Sequence, residues 1–518
     1  MANDPGDQGS GRAAGSAVLS APNSPAELTV SLDHGDAGQD LRSGLTFSPG
    51  LATLAGLAAL LLIGFSVAMF AVVMVLGPSA AVPRIDSAGP LLWFDAHPNA
   101  GLVIALERLG ALVGALGTAT GLAAVAAGWR PAPRLLAAAG ALTVVVFVFL
   151  PPAGSTDVLN YASYGRIAAL GHSPYQMTPA QLFSSGDPVG LLTPLAWRTA
   201  PTIYGPVATM LQWAAAELGG GSMARIVFWI RLSKAIAFLG TSAALLRLAD
   251  HDQARRIRVH LLWTMNPLMA FWLVGSGHVD VNIALLTVAA LLAIRRPGVL
   301  AGVLAGVLAG AAIAVKLTYA IVACGLIWPA RRSLRTVLAG VGAAAVTVGA
   351  SYLWPGAATT VTLSRRLSAG ARFIFYLPHA LAARPELLSA LVMVATLALA
   401  ALLLHGLPAE DPRSPGVRLL LALAIGSLAV LPVQTPWYDA VIFALLALMP
   451  ASRFDYLLIA RCLLLTELLL PGAAPDTGAV SLAAALISHV GIFVILALII
   501  GASLRGPWRS GRVRPVAA

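Results

Sequence analysis

The sequence predicts an all-α fold, a polytopic transmembrane helical bundle of about fourteen spans with outward-facing loops. Three observations predict it. The 518 residues are 58% hydrophobic and only 11% charged, with a mean hydropathy of +0.83, which leaves too little polar surface to cover a water-soluble globule. Apolar stretches of roughly 15 to 28 residues recur from Leu51 almost to the C-terminus, near the roughly 20 that a helix needs to cross a bilayer. These stretches are continuous, rich in Ala and Leu and punctuated by Gly and Pro, whereas a lipid-exposed barrel would show short alternating strands.

Taken from the N-terminus, residues 1–46 carry Asp4, Asp7, Glu27, Asp33, Asp36 and Asp40 against Arg12 and Arg42, among many Gly, Ser and Ala. That composition reads as a disordered tail. It lacks the basic region, short apolar stretch and small-residue cleavage site of a signal peptide. A transmembrane domain follows over 47–504, with spans expected near 51–77, 101–128, 135–151, 225–247, 259–274, 281–294, 299–314, 317–329, 336–354, 387–404, 418–433, 439–451, 455–471 and 480–503. Residues 505–518 form a basic tail with Arg505, Arg509, Arg512 and Arg514.

Orientation follows from the enrichment of Arg and Lys in short cytoplasmic loops. The clusters Arg130/Arg134, Arg247/Arg255/Arg256/Arg258, Arg295/Arg296 and Arg331/Arg332/Arg335 all become cytoplasmic if the N-terminus is inside. Both tails are then cytoplasmic, in a multi-pass protein of the plasma membrane. The stretch 206–219 would invert everything after it if it crossed, so the basic loops argue for a re-entrant or surface-lying helix. Two longer segments, 152–224 and 355–386, face outward, where function tends to concentrate because spans are committed to packing. Gly298, Gly302, Gly306 and Gly310 recur every four residues, a stripe that lets one helix approach another closely.

The net charge of +11 would suggest nucleic acid in a soluble protein; here topology accounts for most of the arginines, and no nucleic-acid partner is expected. Of the 33 cationic residues only Lys234 and Lys316 are lysines, both inside apolar stretches. Cys324 and Cys462 also lie in apolar segments, which supports neither a disulfide framework nor a metal cluster.

The stretch richest in chemistry is 154–175, GSTDVLNYASYGRIAALGHSPY. Asp157 sits where the third span leaves the membrane; partial desolvation there would raise its basicity and suit it to taking a proton from a hydroxyl. Tyr161 and Tyr164 would share a helix face with it, although Thr156 or Asp157 could equally serve only as the helix cap. In Pro201–Pro206, Tyr204 stands at the tip of a turn, as an interfacial anchor or a substrate contact. In Gly275–Asp280, His278 and Asp280 interrupt two apolar runs; they could position a hydroxyl, contribute to a metal site or pair with each other. Lys316 needs an anion, which a lipid-linked phosphate or a carboxylate such as Asp157 or Asp280 would supply, unless it snorkels to the headgroups. Arg365, Arg366, Arg372 and His379 break the arginine-inside trend, and guanidinium groups near outer headgroups suit forked contacts with phosphate, whether of a substrate or of bulk anionic lipid. Trp437 and Tyr438 could stack on a sugar ring or belong to the interfacial belt. Glu107/Arg108, Arg231/Lys234 and Arg461/Glu467 read as neutralising groups inside the spans.

As a set, Asp157, the YxxYGR run Tyr161–Arg166, the GxxPY run Gly171–Tyr175, the NPL of Asn266–Leu268, Gly275–Asp280, Lys316 and the PWY of Pro436–Tyr438 resemble the C-type integral-membrane glycosyltransferases, and within them the actinobacterial polyprenol-phosphomannose-dependent α-1,6-mannosyltransferases. The resemblance covers roughly residues 50–505 in span pattern, and the order of the motifs carries it. It implies an inverting transfer of mannose from a polyprenyl-phosphate donor to a glycan or glycolipid acceptor on the outer side of the membrane. Asp157 would be the base; Lys316, Arg365, Arg366 and Arg372 would hold the donor phosphate; Tyr161, Arg166, Tyr175, Tyr204, His278, Asp280, Trp437 and Tyr438 would contact substrate. No metal ligand is assigned and no cofactor is required, with a divalent cation left open. Val279 stands where family members commonly have Asn, and the loop begins GSTD, so donor or acceptor preference could differ. The rival reading is a polytopic transporter or flippase of lipid-linked sugars, but the paired broken helices such proteins often show are not found.

Overall fold

The computed structural model describes residues 49–353, 385–412, 414–430, 434–473 and 479–506. The acidic tail 1–46, nearly all of the segment 355–386, expected to face outward, with Arg365, Arg366, Arg372 and His379, and residues 507–518 of the basic tail lie outside the described residues.

Among the described residues the chain is helical with no strand. Its principal helices are α1 (Pro49–Val75), α2 (Ala100–Ala126), α3 (Pro133–Phe149), α4 (Asp157–Ala169), α5 (Pro206–Gly219), α6 (Met223–Leu248), α7 (Asp280–Ile294), α8 (Val299–Val315), α9 (Leu334–Leu353), α10 (Pro385–Gly406), α11 (Val417–Val430), α12 (Ala440–Leu446), α13 (Arg453–Leu469) and α14 (Ala479–Leu504). Local chemistry sets several starts. Asn99 caps α2 by accepting from the Gly101 and Leu102 amides, and Ser222 caps α6 by accepting from Arg225.

Among the described residues five helices, α1, α2, α6, α9 and the 485–504 part of α14, are long and apolar enough to cross a bilayer, and six if the bent pair 267–275 with α7 counts as one span. Shorter apolar helical pieces of 10–17 residues include Pro133–Phe149, Val299–Val315 and Ala390–Gly406, so among the described residues fewer elements meet the length of a full crossing than the fourteen stretches that hydropathy marks. Large apolar side chains face outward on the long helices, with Leu61 75% and Phe493 68% exposed, as on a surface solvated by lipid.

The 259–274 stretch departs most from expectation. In place of one span it is a short helix, Gln253–Val259, followed by two π-helical turns, His260–Thr264 and Phe271–Gly275, with Pro267–Ala270 between them. Asn266 caps that middle piece, and Pro267, which has no amide hydrogen to donate, cannot continue the preceding turn. A bend of 113° then leads into α7. The whole segment is buried: Trp263 stacks on Phe238 at 4.9 Å, and Phe271 on Phe70 at 4.2 Å. The 317–329 stretch is likewise broken into short helical turns.

Helix α5, the ambiguous 206–219 stretch, packs on α4, α6 and α8. The glycine stripe on α8 faces α9, where a Cβ on Gly302 or Gly306 would run into the Thr336 or Gly340 carbonyl.

The ionisable groups inside the spans are arranged differently from expectation. Arg461 binds Asp439 and, at 3.1 Å, Gln434, while Glu467 lies 3.9 Å from Arg108. Arg231 donates to the carbonyls of Val274, Leu150 and Phe147, tying the end of α3 to the break before α7, and Lys234 donates to Asn282 at 3.0 Å. Partners distant in sequence satisfy these cations, which neighbour-based pairing could not anticipate.

Candidate active site

Asp157 is the first residue of α4. Thr156 precedes it without a side-chain cap, and the Asp157 amide is held by the Ser155 hydroxyl at 3.2 Å. The carboxylate, 21% exposed, turns toward the break between 275 and 280, with one oxygen 3.9 Å from His278 Nδ1. Burial pushes this carboxyl up to about 6; the Trp197 indole donates to it and opposes the rise, nearby Asp280 adds to it, and the Lys316 charge offsets part.

Gly277, with φ of +80°, makes the turn that delivers His278 to this point. His278 is fully buried and stacks on Trp437, with centroids 3.6 Å apart and planes 9° apart. Its Nδ1 lies 3.3 Å from the Tyr161 hydroxyl, which in turn is 3.0 Å from the Tyr204 hydroxyl. The two tyrosine rings meet edge to face.

Asp280 opens α7, and Lys316 follows the end of α8. They form an ion pair of 3.1 Å, and the Lys316 ammonium lies 3.4 Å from the centre of the Tyr438 ring. Of the anions the sequence offered to Lys316, the fold supplies Asp280, and His278 and Asp280 do not pair with each other but face different partners. An ammonium has three N–H donors, so the Asp280 bond leaves donors for a further anion.

Eight sequence-selected residues therefore converge: Asp157, Tyr161, Tyr204, His278, Asp280, Lys316, Trp437 and Tyr438. Two are placed elsewhere. Arg166 pairs with Asp187 at 2.9 Å, where that aspartate also caps a short helix, and the Tyr175 hydroxyl bonds Thr209 at 2.9 Å inside the core. Tyr164, expected on the Asp157 face, sends its hydroxyl to the Ala200 carbonyl. Trp197, which reaches Asp157 from the segment between α4 and α5, and Trp272, tilted against Trp437 with centroids 5.3 Å apart, were not singled out by sequence. Lys234 stood out only as one of two lysines; it lies close enough for the Asp280 charge to act on it. Among the described residues no three His, Cys, Asp or Glu side chains could together hold a metal ion.

Chemically, this is a carboxylate of raised basicity set near an ammonium, within a wall of aromatic rings. Residues 53–332 match the family described as "Alpha-(1->6)-mannopyranosyltransferase, N-terminal domain". The chain belongs to this family. The match spans α1 to α8 and so includes Asp157, Tyr161, Tyr204, His278, Asp280 and Lys316, leaving Trp437 and Tyr438 outside it. Two curated relatives carry the same activity in their names. The "Probable alpha-(1->6)-mannopyranosyltransferase" of Mycolicibacterium smegmatis is 30% identical over 137 residues, 26% of this chain and 24% of its own length. "Alpha-(1->6)-mannopyranosyltransferase A" of Corynebacterium glutamicum is 27% identical over 186 residues, 36% of each chain. The matched stretches thus span about a quarter and about a third of these relatives. No solved structure matches the chain.

Proposed function

We propose that this protein is an inverting mannosyltransferase of about fourteen membrane crossings and C-type architecture, drawing mannose from a polyprenyl-phosphate donor and passing it to a glycan or glycolipid acceptor at the outer face. The observation that carries the reading is the Asp157 carboxylate, raised to about 6 and only partly buried, with the Asp280-bound Lys316 ammonium near enough for its charge to be felt. Membership of a mannopyranosyltransferase family supports transfer over transport.

In this mechanism Asp157 takes the proton of an acceptor hydroxyl as its oxygen bonds to the anomeric carbon. The bond from that carbon to the phosphate oxygen breaks, and polyprenyl phosphate leaves with the electron pair. A β-linked donor gives an α-linked product. Charge grows on the departing phosphate, so the preorganised Lys316 ammonium lowers the barrier, with Arg365, Arg366 and Arg372 assigned to the same phosphate. Tyr161, Tyr204 and His278 form a hydroxyl and imidazole relay beside the base, and Trp437 and Tyr438 offer ring faces to a sugar. The N-terminus is cytoplasmic in this scheme.

The test uses purified full-length protein in lipid, polyprenyl-phosphate mannose and an α-mannoside acceptor, with Asp157→Asn beside the wild type. Transfer by the wild type and its loss in the variant is the expected result. Equal transfer by both would remove Asp157 from the role of base, and no transfer by either would remove the activity.

A further inference from the structure

A second cavity system lies on another flank of α4. One cavity of about 970 Å³ reaches Thr156 and Leu159, which flank Asp157 in sequence, and includes Pro78 and Arg84 in its wall. A second of about 870 Å³ shares Pro78 and Arg84 and continues to Trp93, Asp95 and His97. The two make one trough with Arg84 at the join. The connection between α1 and α2 that forms its floor is fixed to the body at several points. Gly154 and Ala473 donate to the Ala81 and Ala80 carbonyls, each at 3.0 Å, and Asp86 accepts from the Ser222 hydroxyl at 2.7 Å and the Ala224 amide at 3.1 Å. Phe94 and Ala96 donate to carbonyls at the end of α1. His97 is held at a φ of +46°, a conformation that costs a non-glycine residue energy and recurs at ligand sites.

Among the aliphatic side chains of Val75, Ile85, Leu91 and Leu92, the far half carries an indole, a carboxylate, an imidazole and a guanidinium, Asp95 standing 3.5 Å from His97 with both largely exposed. An indole face suits the C–H face of a pyranose, and a carboxylate and a guanidinium accept and donate to neighbouring hydroxyls. The nearer cavity also has leucines and Arg108 in its wall, features an anionic lipid could use, but Asp95 in the far half would repel a phosphate headgroup. The indole, carboxylate and guanidinium of the far half thus favour an uncharged polyol there.

We propose that this trough is an acceptor subsite for an oligosaccharide, holding the sugar units behind the one whose hydroxyl faces Asp157. The assignment rests on the transferase reading. The enzyme would then prefer longer acceptors, with Trp93 as the platform for a remote sugar and Asp95 and Arg84 fixing its hydroxyls.

Binding of α-linked manno-oligosaccharides of two and six units to the full chain in nanodiscs, measured by calorimetry without donor, tests this independently of catalysis. The expected result is a hexasaccharide bound about tenfold more tightly than the disaccharide, the scale of one well-placed aromatic contact. Trp93→Ala and Asp95→Asn should erase that difference, and Trp93→Phe should restore most of it. Equal affinity for both lengths in the wild type, or a length preference that survives both Trp93→Ala and Asp95→Asn, overturns the subsite. Displacement of the hexasaccharide by a soluble short-chain anionic phospholipid, with no effect of Asp95→Asn, overturns it in favour of a lipid headgroup. A length preference lost in Trp93→Ala, in a protein that transfers no mannose, upholds the subsite and sinks the transferase reading alone.

Discussion

Asp455 and Asp157 both stand in the first turn of a helix, yet their surroundings differ. Asp455, 1% exposed, receives two hydrogen bonds from Arg258, at 2.8 and 3.1 Å, and a third from the Ser452 amide at 3.1 Å. Arg258 also reaches the Leu446 carbonyl, so the pair joins the 253–259 helix to α12 and α13. Both oxygens of that carboxylate are thus engaged, with a forked guanidinium on them. Asp157 has the Trp197 indole and an imidazole nitrogen at 3.9 Å, and no guanidinium or ammonium at bonding distance among the described residues. A forked, closed pair braces helices; a carboxylate left short of donors at a cavity wall keeps its basicity for a proton.

Replacing each aspartate separates the two roles, and the largest effect is expected at Asp157. Asp157→Asn should lower kcat/KM for mannosyl transfer by about 10³-fold, within the usual range for removal of a general base, in a protein that still folds. In the wild type, kcat/KM should rise about tenfold per pH unit below about 6 and level off above it, because the deprotonated form acts. The sign for stability is opposite. A carboxyl raised from 3.8 to about 6 binds more protons in the folded than in the unfolded chain between those values, so stability falls as pH rises through that window. Thermal melts of Asp157→Asn in detergent should therefore gain on wild type above pH 6 and match it near pH 4; a variant that melts lower at pH 8 would make Asp157 a structural group.

Arg258→Met is the converse. It leaves Asp455 buried and unpaired, which costs about 3–5 kcal/mol for pairs of this kind. The melting temperature should fall steeply while kcat of the protein that remains folded keeps its value. A drop in kcat at full occupancy of the folded state would show that the brace and the site are not separate.

The helix positions were legible because lipid demands long apolar runs. The 101–128 and 135–151 stretches appear as Ala100–Ala126 and Pro133–Phe149. The breaks at 260–275 were not, since Trp263, Phe271 and Trp272 are as apolar as a span, and what interrupts them is Asn266 accepting from the Leu268 and Met269 amides around Pro267, together with packing on Phe238 and Phe70. The same asymmetry holds at the site. Asp157, His278, Asp280 and Lys316 stood out as ionisable groups in an apolar chain, but that Lys316 would meet Asp280, 36 residues away, depends on how α7 and α8 pair. Arg166 looked like a ligand-binding cation within YxxYGR, yet a helix-capping aspartate 21 residues on takes it. Trp93 and Trp197 were not singled out at all, because sequence cannot say what a loop tryptophan faces.

Lys316 tests whether the cationic half of the site behaves like the brace or like the base. If Asp280 only neutralises it, Lys316→Met should act on the melting temperature. If the ammonium also holds the leaving phosphate, kcat should fall about 10²-fold, the scale of one lost donor to transition-state charge, and Lys316→Arg should recover part of it. A Lys316→Met variant that loses stability with kcat intact would reduce the pair to structure and leave the phosphate to residues 365–372.

The smallest effect belongs to a single hydroxyl. Tyr204 and Tyr161 share a bond of 3.0 Å beside His278, and Ser242 and Thr264 share one of 2.6 Å in the core between α6 and the first π turn. Each is a buried or partly buried hydroxyl pair, so Tyr204→Phe and Ser242→Ala remove comparable hydrogen bonds, worth about 0.5–1.5 kcal/mol apiece. They should nevertheless be read by different instruments. Ser242→Ala should lower the melting temperature and leave the kinetics alone. Tyr204→Phe should change kcat/KM by roughly 2- to 10-fold, the same free energy expressed in transfer, and should act mainly through KM if the tyrosine aligns the acceptor rather than the proton. If Tyr204→Phe instead moves only the melting temperature, the hydroxyl relay belongs with the brace and not with the base, and the boundary of the site contracts to Asp157, His278 and the Lys316 pair.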